Sequence, residues 1–449
     1  MSSTNKSNKD VSAHESVGSH SVPVEAIKRK NLERLIARFA ELSEDGPGVT
    51  RLAYSHLERQ AHQVFADEMA ALGLVVKVDA AGNSIAELPA TESLLKAGLG
   101  TGSHLDSVPS GGRFDGIAGV CAAIETARVA IASAPVRRRP WRFVAFAAEE
   151  GARFGQACSG SRMVAGLTRT PDLARLEDKN GVSMAQAMSE VGLNPDAVSE
   201  ARWEADDWLA FIELHIEQGN VLESHDIAIG VVDTISGSSR LLIELSGVAS
   251  HTGGTPMHLR RDALAAAAEC VLLCEKIAND EEHHGTRITV GRLDVDPGSI
   301  TTIPGHVALT VDVRDFDHQR QRDTTRQLVQ AFEAVVGRRG VGMRVSILGD
   351  TSPVVLPTSI TNVIARSAAQ NGLNYRVMAS GASHDAQQIT RTTSTGMIFV
   401  PSWNGLSHVP QEYTSFDDLA RGTEVLISAL LMLDGCDNLS QTSSAESAQ

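Results

Sequence analysis

Residues 25 to 42 carry apolar positions at helical spacing (Ile27, Leu32, Leu35, Ile36, Phe39, Leu42), and a second helix is predicted over 53–72, stopped by Gly73. Short apolar runs follow that read as strands: LVVKVDA, GNSIAEL and AGLGTGSHL. An apolar helical run, GIAGVCAAIETARVAIA, leaves Gly116. WRFVAFAA is a further strand, with Glu149 and Glu150 at its C-terminal end, and helices are predicted near 157–165, 170–176 and 183–190. WLAFIELHIEQG and IAIGVVDTI close the segment as strands. Strands alternating with helices predict an α/β fold with a mostly parallel mixed sheet and helices on both faces.

From about residue 236 the pattern changes. SRLLIELSGV alternates as a strand, ASHTGGTPMHLRR reads as a loop, and DALAAAAECVLLCEKIAN is a helix with Asp262 near its N-terminus. RITVGRLDV and HVALTVDVRD are strands, QRQRDTTRQLVQAFEAVVGRR is a helix ending at Gly340, and GMRVSILGD is a last strand. That order, βαββαβ, is the ferredoxin-like pattern. It predicts an inserted smaller α+β domain over 236–350 within a discontinuous domain of 25–235 and 351–437. TSPVVLP reads as the return linker, 359–371 as a helix, GMIFV as a strand and 415–434 as the closing helix. Residues 1–24 and 438–449, rich in Ser, Asn and charge, read as a disordered leader and tail.

Composition narrows the function classes. Lys plus Arg number 40 against 55 Asp plus Glu, a formal net charge of −15, which argues against nucleic acid as a partner and is compatible with metal cations. No apolar stretch reaches the ~20 residues of a membrane span, and the first 22 residues lack the apolar core of a signal peptide. The 5 cysteines are few, odd in number and without a CxxC, so they read as buried small side chains in a reducing, cytoplasmic compartment. Cys270 and Cys274, four apart in a helical run, share one face.

The chemistry concentrates at strand ends, where open α/β sheets bind ligands. Of the 15 histidines, His14 and His20 sit in the leader and His56 and His62 on a polar helix face. His104, His215, His251, His384 and His408 each follow an apolar run beside small residues. Two hydrolytic metals need a bridging carboxylate, terminal N and O ligands and an exchangeable water between them. Asp115, in the loop FDGIAG, is the natural bridge; His104 and His215 are terminal candidates for one ion, and Glu150 and His408 for the other. Asp106 lies two residues after His104, on the same side of an extended segment, where it can orient the imidazole. A strand continuing through Glu149 and Glu150 points them oppositely, so one ligates and Glu149 is left as the general base. Each feature alone has a bland reading, as a cap or a solvated pair; their convergence on the ends of one sheet is what favours a site.

Taken together, GSHLDSVPSGGRFDGIAGV, AAEEGARFG, ELHIEQG, the run from HTGGTPM to RRDAL, IPG with VDVRD, SGASHDAQ and MIFVPSWNGLSHVPQEYT resemble a family. It is the two-metal amidohydrolases that include N-carbamoyl-L-amino-acid hydrolase, allantoate amidohydrolase and β-ureidopropionase, within the aminoacylase and di-zinc exopeptidase superfamily. The resemblance spans about residues 25 to 435. It implies the metal ligands named above, two divalent ions per subunit (zinc first, manganese or cobalt also suited), Glu149 as base and Asp106 as support for His104. It implies further that Gln218 lines the substrate site and that His251 stabilises an oxyanion, reaching the partner subunit's site. Arg314 clamps the substrate carboxylate, which suits guanidinium geometry, and His384 contacts substrate. The implied assembly is a homodimer through the 236–350 domain. Two positions depart from the family pattern: Thr301 stands where Asn is usual before IPG, and Ser383 where Gly is usual in SGAGHDA.

The expected activity is hydrolysis of a linear amide or ureido C–N bond in a small carboxylate-bearing substrate, first an N-carbamoyl-L-amino acid, alternatively an allantoate-type ureide. Thr301 and Ser383 keep an N-acyl amino-acid deacylase or dipeptidase open. A non-catalytic binding protein on the same fold is the reading from a different class.

Overall fold

The computed structural model describes residues 27–92, 95–133 and 135–439; the expected leader, and the expected tail from residue 440 on, lie outside the described residues. Helices Arg29–Ala40 and His56–Ala71 come first; each packs an apolar stripe inward, Leu32, Leu35, Ile36 and Phe39 in the first, Phe65 and Met69 in the second. Strands β1 (Val76–Val78), β2 (Ser84–Leu88), β3 (Gly98–His104), β4 (Trp141–Phe146), β5 (Trp208–Ile216) and β6 (Ile229–Ile235) follow, with helix Ile117–Ser133 between β3 and β4. After an inserted segment come β13 (Val354–Val355), β14 (Tyr375–Ser380) and β15 (Ser394–Val400), and helix Phe416–Asp434 closes the chain.

These strands form one sheet in the order β1-β2-β4-β3-β5-β15-β6-β13, with β14 beside β6. β4, β3, β5 and β15 run parallel; β6 pairs antiparallel with β15, and β14 runs parallel to β6, while β1, β2 and β13 pair antiparallel at the flanks. All 7 residues of β3 are buried, which is what a central parallel strand covered on both faces requires. The Ile117–Ser133 helix is buried nearly all round, between β3 and the first and last helices. The sheet is therefore a rigid platform whose parallel strands deliver their C-terminal residues to one edge.

The inserted segment builds a separate sheet from β7 (Gly237–Ser246), β9 (Arg287–Asp296), β11 (His306–Asp315) and β12 (Gly342–Thr351) in the order β12-β7-β11-β9, all antiparallel. This is the ferredoxin-like arrangement expected from the element order. Helices Ala263–Ala278 and His318–Arg339 pack on it; Asp262 and Asp317 cap their N-termini, and Gly340 ends the second at φ +62°. Val307, Leu309, Val311 and Val313 alternate into this core, each burial contributing about 1.5–3 kcal/mol. A small two-stranded ladder joins β8 (Ser250–His251), inside the stretch that reads as a loop, to β10 (Thr302–Ile303).

Other readings changed. The return linker contributes β13, whose Val354 and Val355 extend the main sheet against β6. His62 is not on a polar face: it is 2% exposed and bonds Ser84 Oγ at 2.9 Å, because β2 covers that side of its helix. β4 stops at Phe146 and Ala148 takes φ +57°, so Glu149 and Glu150 part through a turn and not through strand alternation. All 5 cysteines are unpaired, with Cys270 and Cys274 both buried. Among the described residues, no helix is long and apolar enough to cross a membrane.

Candidate metal centre

The parallel strands bring the expected ligands to one place. His104 is the last residue of β3 and His215 the next to last of β5, its neighbour; their rings stack 5.7 Å apart. Asp115 arrives from the loop between β3 and its following helix. Gly116, at φ +68°, makes this possible: a Cβ there would lie 2.5 Å from the His104 ring. Glu150 comes from the turn after β4, and His408, itself at φ +60°, from the loop after β15.

Asp115 faces two ways. Its Oδ1 lies 3.2 Å from His215 Nε2 and 3.7 Å from His104 Nε2. Its Oδ2 lies 3.1 Å from His408 Nε2, which is 3.3 Å from Glu150 Oε2. Donors held about 2.1 Å from a tetrahedral ion stand roughly 3.4 Å apart, so both sets have the spacing of a shared divalent cation. His215 Nε2 and Glu150 Oε1 are buried and without a hydrogen-bond partner among the described residues. Buried polar atoms are seldom left so, and an N/O set with two orphaned donors fits metal ligation. His215 Nδ1–H donates to Ile216 O at 2.9 Å, which turns the Nε2 lone pair toward Asp115. A third trio, Glu213, His215 and His384, is also close. Its other two members already have partners: Glu213 accepts from Ser103 Oγ and Ala386 N, and His384 Nε2 meets Ser380 Oγ at 2.8 Å.

The electrostatics of the cluster follow from crowding charge in a buried site. Burial opposes the charge on His104, but Asp106, Asp115 and Glu149 outweigh it and hold its pKa well above the usual imidazole value. Burial likewise works against the Asp115 carboxylate, and the three histidines around it win, keeping it well below the carboxylate range. Glu149 is pushed up by burial, and Glu150 is pushed well up by burial and then by Asp115. Cations in such a site relieve all of these conflicts at once.

The supporting residues are less obvious from sequence. Asp106 meets His104 Nδ1 through its backbone carbonyl at 3.2 Å; its carboxylate is 3.6 Å from that nitrogen, beyond hydrogen-bond range. The carboxylate instead accepts from the backbone N–H of Glu149 at 2.8 Å and of Glu150 at 3.1 Å, so it fixes the turn that carries both glutamates. Glu58 reinforces the same turn, accepting from Ala148 N at 2.8 Å with its pKa raised to about 8 by burial and by Asp106. The Cys158 thiol donates to Glu149 Oε1 at 3.0 Å, while Oε2 lies 3.8 Å from His104 Nε2, on the cluster side. Glu412 accepts from Phe114 N at 2.9 Å and Asp115 N at 3.0 Å with one oxygen and from Ser407 Oγ at 2.8 Å with the other. Neither Glu58 nor Glu412 is a sequence candidate; the only signal for Glu412 is an acid four residues past His408.

The remaining expected residues divide. Gln218, at φ +57°, donates from Nε2 to Asp115 Oδ2 at 2.8 Å. With Asn220, Ser407 and His408 it lines a cleft of about 530 Å³. His384 is 2% exposed and packs its ring edge on His215 at 4.6 Å, and its pKa is held well down by burial and by His215. Ser383 faces a small separate cavity of about 30 Å³ shared with Cys158 and Arg240. Arg314, on β11, crosses to the larger domain and donates to Gly381 O at 2.9 Å, with Nε on Asp312 at 3.0 Å. His251 lies on the two-stranded ladder opposite Thr302, and Thr301 adjoins it, accepting at its carbonyl from Thr252 N. Among the described residues no hydrogen bond or ion pair joins either to the metal cluster. His251 Nδ1 accepts from the N–H of Gly253 and of Gly254, both at 3.1 Å.

Known proteins resemble this chain over most of its length. The chain is 41% identical over 405 residues to an N-carbamoyl-L-amino-acid amidohydrolase of Paenarthrobacter aurescens, covering 90% of this chain and 98% of that one. It is 37% identical over 412 residues to an allantoate amidohydrolase of Escherichia coli strain K12, covering 90% and 98%. The crystal structure of AtUAH in complex with glyoxylate superposes with a TM-score of 0.86 at 33% identity, covering 92% of this chain and 99% of that one. Residues 100–432, which hold every expected ligand of the cluster, match the peptidase family M20/M25/M40, and the chain belongs to that family.

Proposed function

We propose that the protein is a metal-dependent amidohydrolase that cleaves the ureido C–N bond of an N-carbamoyl-L-amino acid. The observation that carries this reading is Asp115, whose two oxygens face two separate ligand sets. His104, His215 and Asp115 would hold one divalent ion, and Asp115, Glu150 and His408 the other. Zinc suits these donors best, and manganese or cobalt also fit. Such ions supply Lewis acidity, polarising a carbonyl and activating water at neutral pH.

The chain's own groups do the rest. Glu149 Oε1 is held by Cys158, which leaves Oε2 to take the proton of the attacking water and deliver it to the leaving nitrogen. His251 accepts two backbone N–H groups at Nδ1, so its neutral ring carries the proton on Nε2, the atom that donates to the developing oxyanion. Its separation from its own cluster supports delivery from a second copy, in a homodimer formed through the 236–350 domain. Arg314 binds the substrate carboxylate, and Gln218 and His384 hold Asp115 and His215 in place beside it. Unpaired cysteines support a reducing compartment, the cytoplasm.

An allantoate-type ureide is the second reading, favoured by the comparable identity to the Escherichia coli relative. The test is turnover by protein loaded separately with zinc, manganese and cobalt on N-carbamoyl-L-amino acids, allantoate, N-acetyl amino acids and dipeptides. Ammonia or amine release from the carbamoyl compounds above the others supports the first reading. Preference for allantoate selects the second, and turnover only of acyl or peptide bonds overturns both.

A further inference from the structure

The antiparallel register of β9 on β11 sets Arg287 directly opposite Arg314. Like charges at opposed positions repel, yet both side chains reach the same backbone of the larger domain. Arg314 donates to Gly381 O, and Gly381 has no room for a Cβ because the Arg287 guanidinium occupies that space. The two differ in how their charge is met. Arg314 is paired with Asp312 at 3.0 Å. Arg287 has no hydrogen bond or ion pair among the described residues; its guanidinium lies 5.7 Å from the centre of the Phe316 ring.

Arg287 also lines the cleft that holds Gln218 and His408. The one carboxylate in that lining, Glu217, is already committed, accepting from Val221 N at 2.7 Å and Leu222 N at 2.9 Å. The cleft therefore presents an unneutralised cation beside the metal cluster, in a volume of about 530 Å³ that suits a small molecule. We infer that Arg287 is a specificity-determining residue that binds a second anionic group of the substrate, so that the preferred substrates are N-carbamoyl derivatives of acidic amino acids. Arg314 takes the α-carboxylate and Arg287 the side-chain carboxylate, with bidentate contacts that a neutral side chain cannot make. This rests on the amidohydrolase reading above.

The test compares N-carbamoyl-L-aspartate with N-carbamoyl-L-alanine on the metal-loaded full-length protein and its Arg287→Gln and Arg287→Lys variants. Both turnover and calorimetric binding to the catalytically impaired Glu149→Gln background are measured. The wild type is expected to favour the aspartate derivative, and Arg287→Gln to lower its kcat/KM about tenfold or more, through KM. The alanine derivative changes less than about threefold, and Arg287→Lys recovers part of the loss. Equal effects on both compounds, or no preference in the wild type, overturn the inference. If neither carbamoyl compound is turned over or bound, the carbamoyl reading itself fails. Arg287 is then judged by N-acetyl-L-aspartate against N-acetyl-L-alanine, where absence of charge selectivity overturns it equally.

Discussion

Glu412 Oε1 accepts the backbone N–H of Asp115 at 3.0 Å across 297 residues of chain. Its other oxygen accepts from Ser407, beside His408, so one carboxylate ties the Asp115 loop to the His408 loop. Replacing Glu412 with Ala is expected to lower affinity for the ion on the His408 side by about 10–100-fold. The effect should fall on kcat more than on KM. Metal content after dialysis and initial-rate kinetics check this, and unchanged occupancy would remove the positioning role.

Gly116 stands against the His104 ring at a left-handed φ. Gly116→Ala adds both backbone strain and a collision, so it should destabilise the fold by more than about 1 kcal/mol and weaken binding at the His104 and His215 side. Thermal unfolding together with metal content tests this; a variant of wild-type stability and occupancy contradicts the close packing.

The metal-free site predicts a pH dependence. Burial lowers the proton affinity of His408, but Asp115 and Glu150 outweigh it and raise its pKa to about 9. Because the folded value lies above the unfolded one, near 6.5, this group's stabilisation is complete below about 6.5 and is lost as pH rises through 9. The melting temperature of EDTA-treated protein should therefore decline over that window, and less so in His408→Ala. Ligation requires the deprotonated ring, so apparent metal affinity should rise over the same window. A flat profile for both properties would show that His408 is not charged beside Asp115.

Glu149 takes its side-chain hydrogen bond from Cys158 and stays 3.8 Å from His104 Nε2, so Glu149→Gln should keep the metals while turnover falls roughly a hundred- to ten-thousand-fold. Near-normal activity in a metal-replete variant would assign the base elsewhere.

Much of the candidate cluster was legible because the needed residue types sit at the ends of apolar runs, and a parallel sheet places such ends together. His104, His215 and Asp115 could be read this way, and His408 from its Gly- and Ser-rich loop. Glu412 and Glu58 could not, since their partners are backbone N–H groups far along the chain and carry no residue signature. Asp106 was found by its spacing, but its spacing does not tell which of its oxygens meets His104. His62 was misread because its helix has an apolar pattern weak on that side, while β2 supplies Ser84 to bury it. Arg287 is one arginine in an exposed strand until β11 sets it opposite Arg314.

The central claim is that Asp115 bridges two ions. Calorimetric titration of zinc into metal-free protein, with bound metal counted by elemental analysis, tests it most directly in the wild type, His215→Ala, His408→Ala and Asp115→Ala. Two ions per chain are expected in the wild type, one in each histidine variant, and neither tight site in Asp115→Ala. One ion in the wild type, or two retained without Asp115, would contradict it.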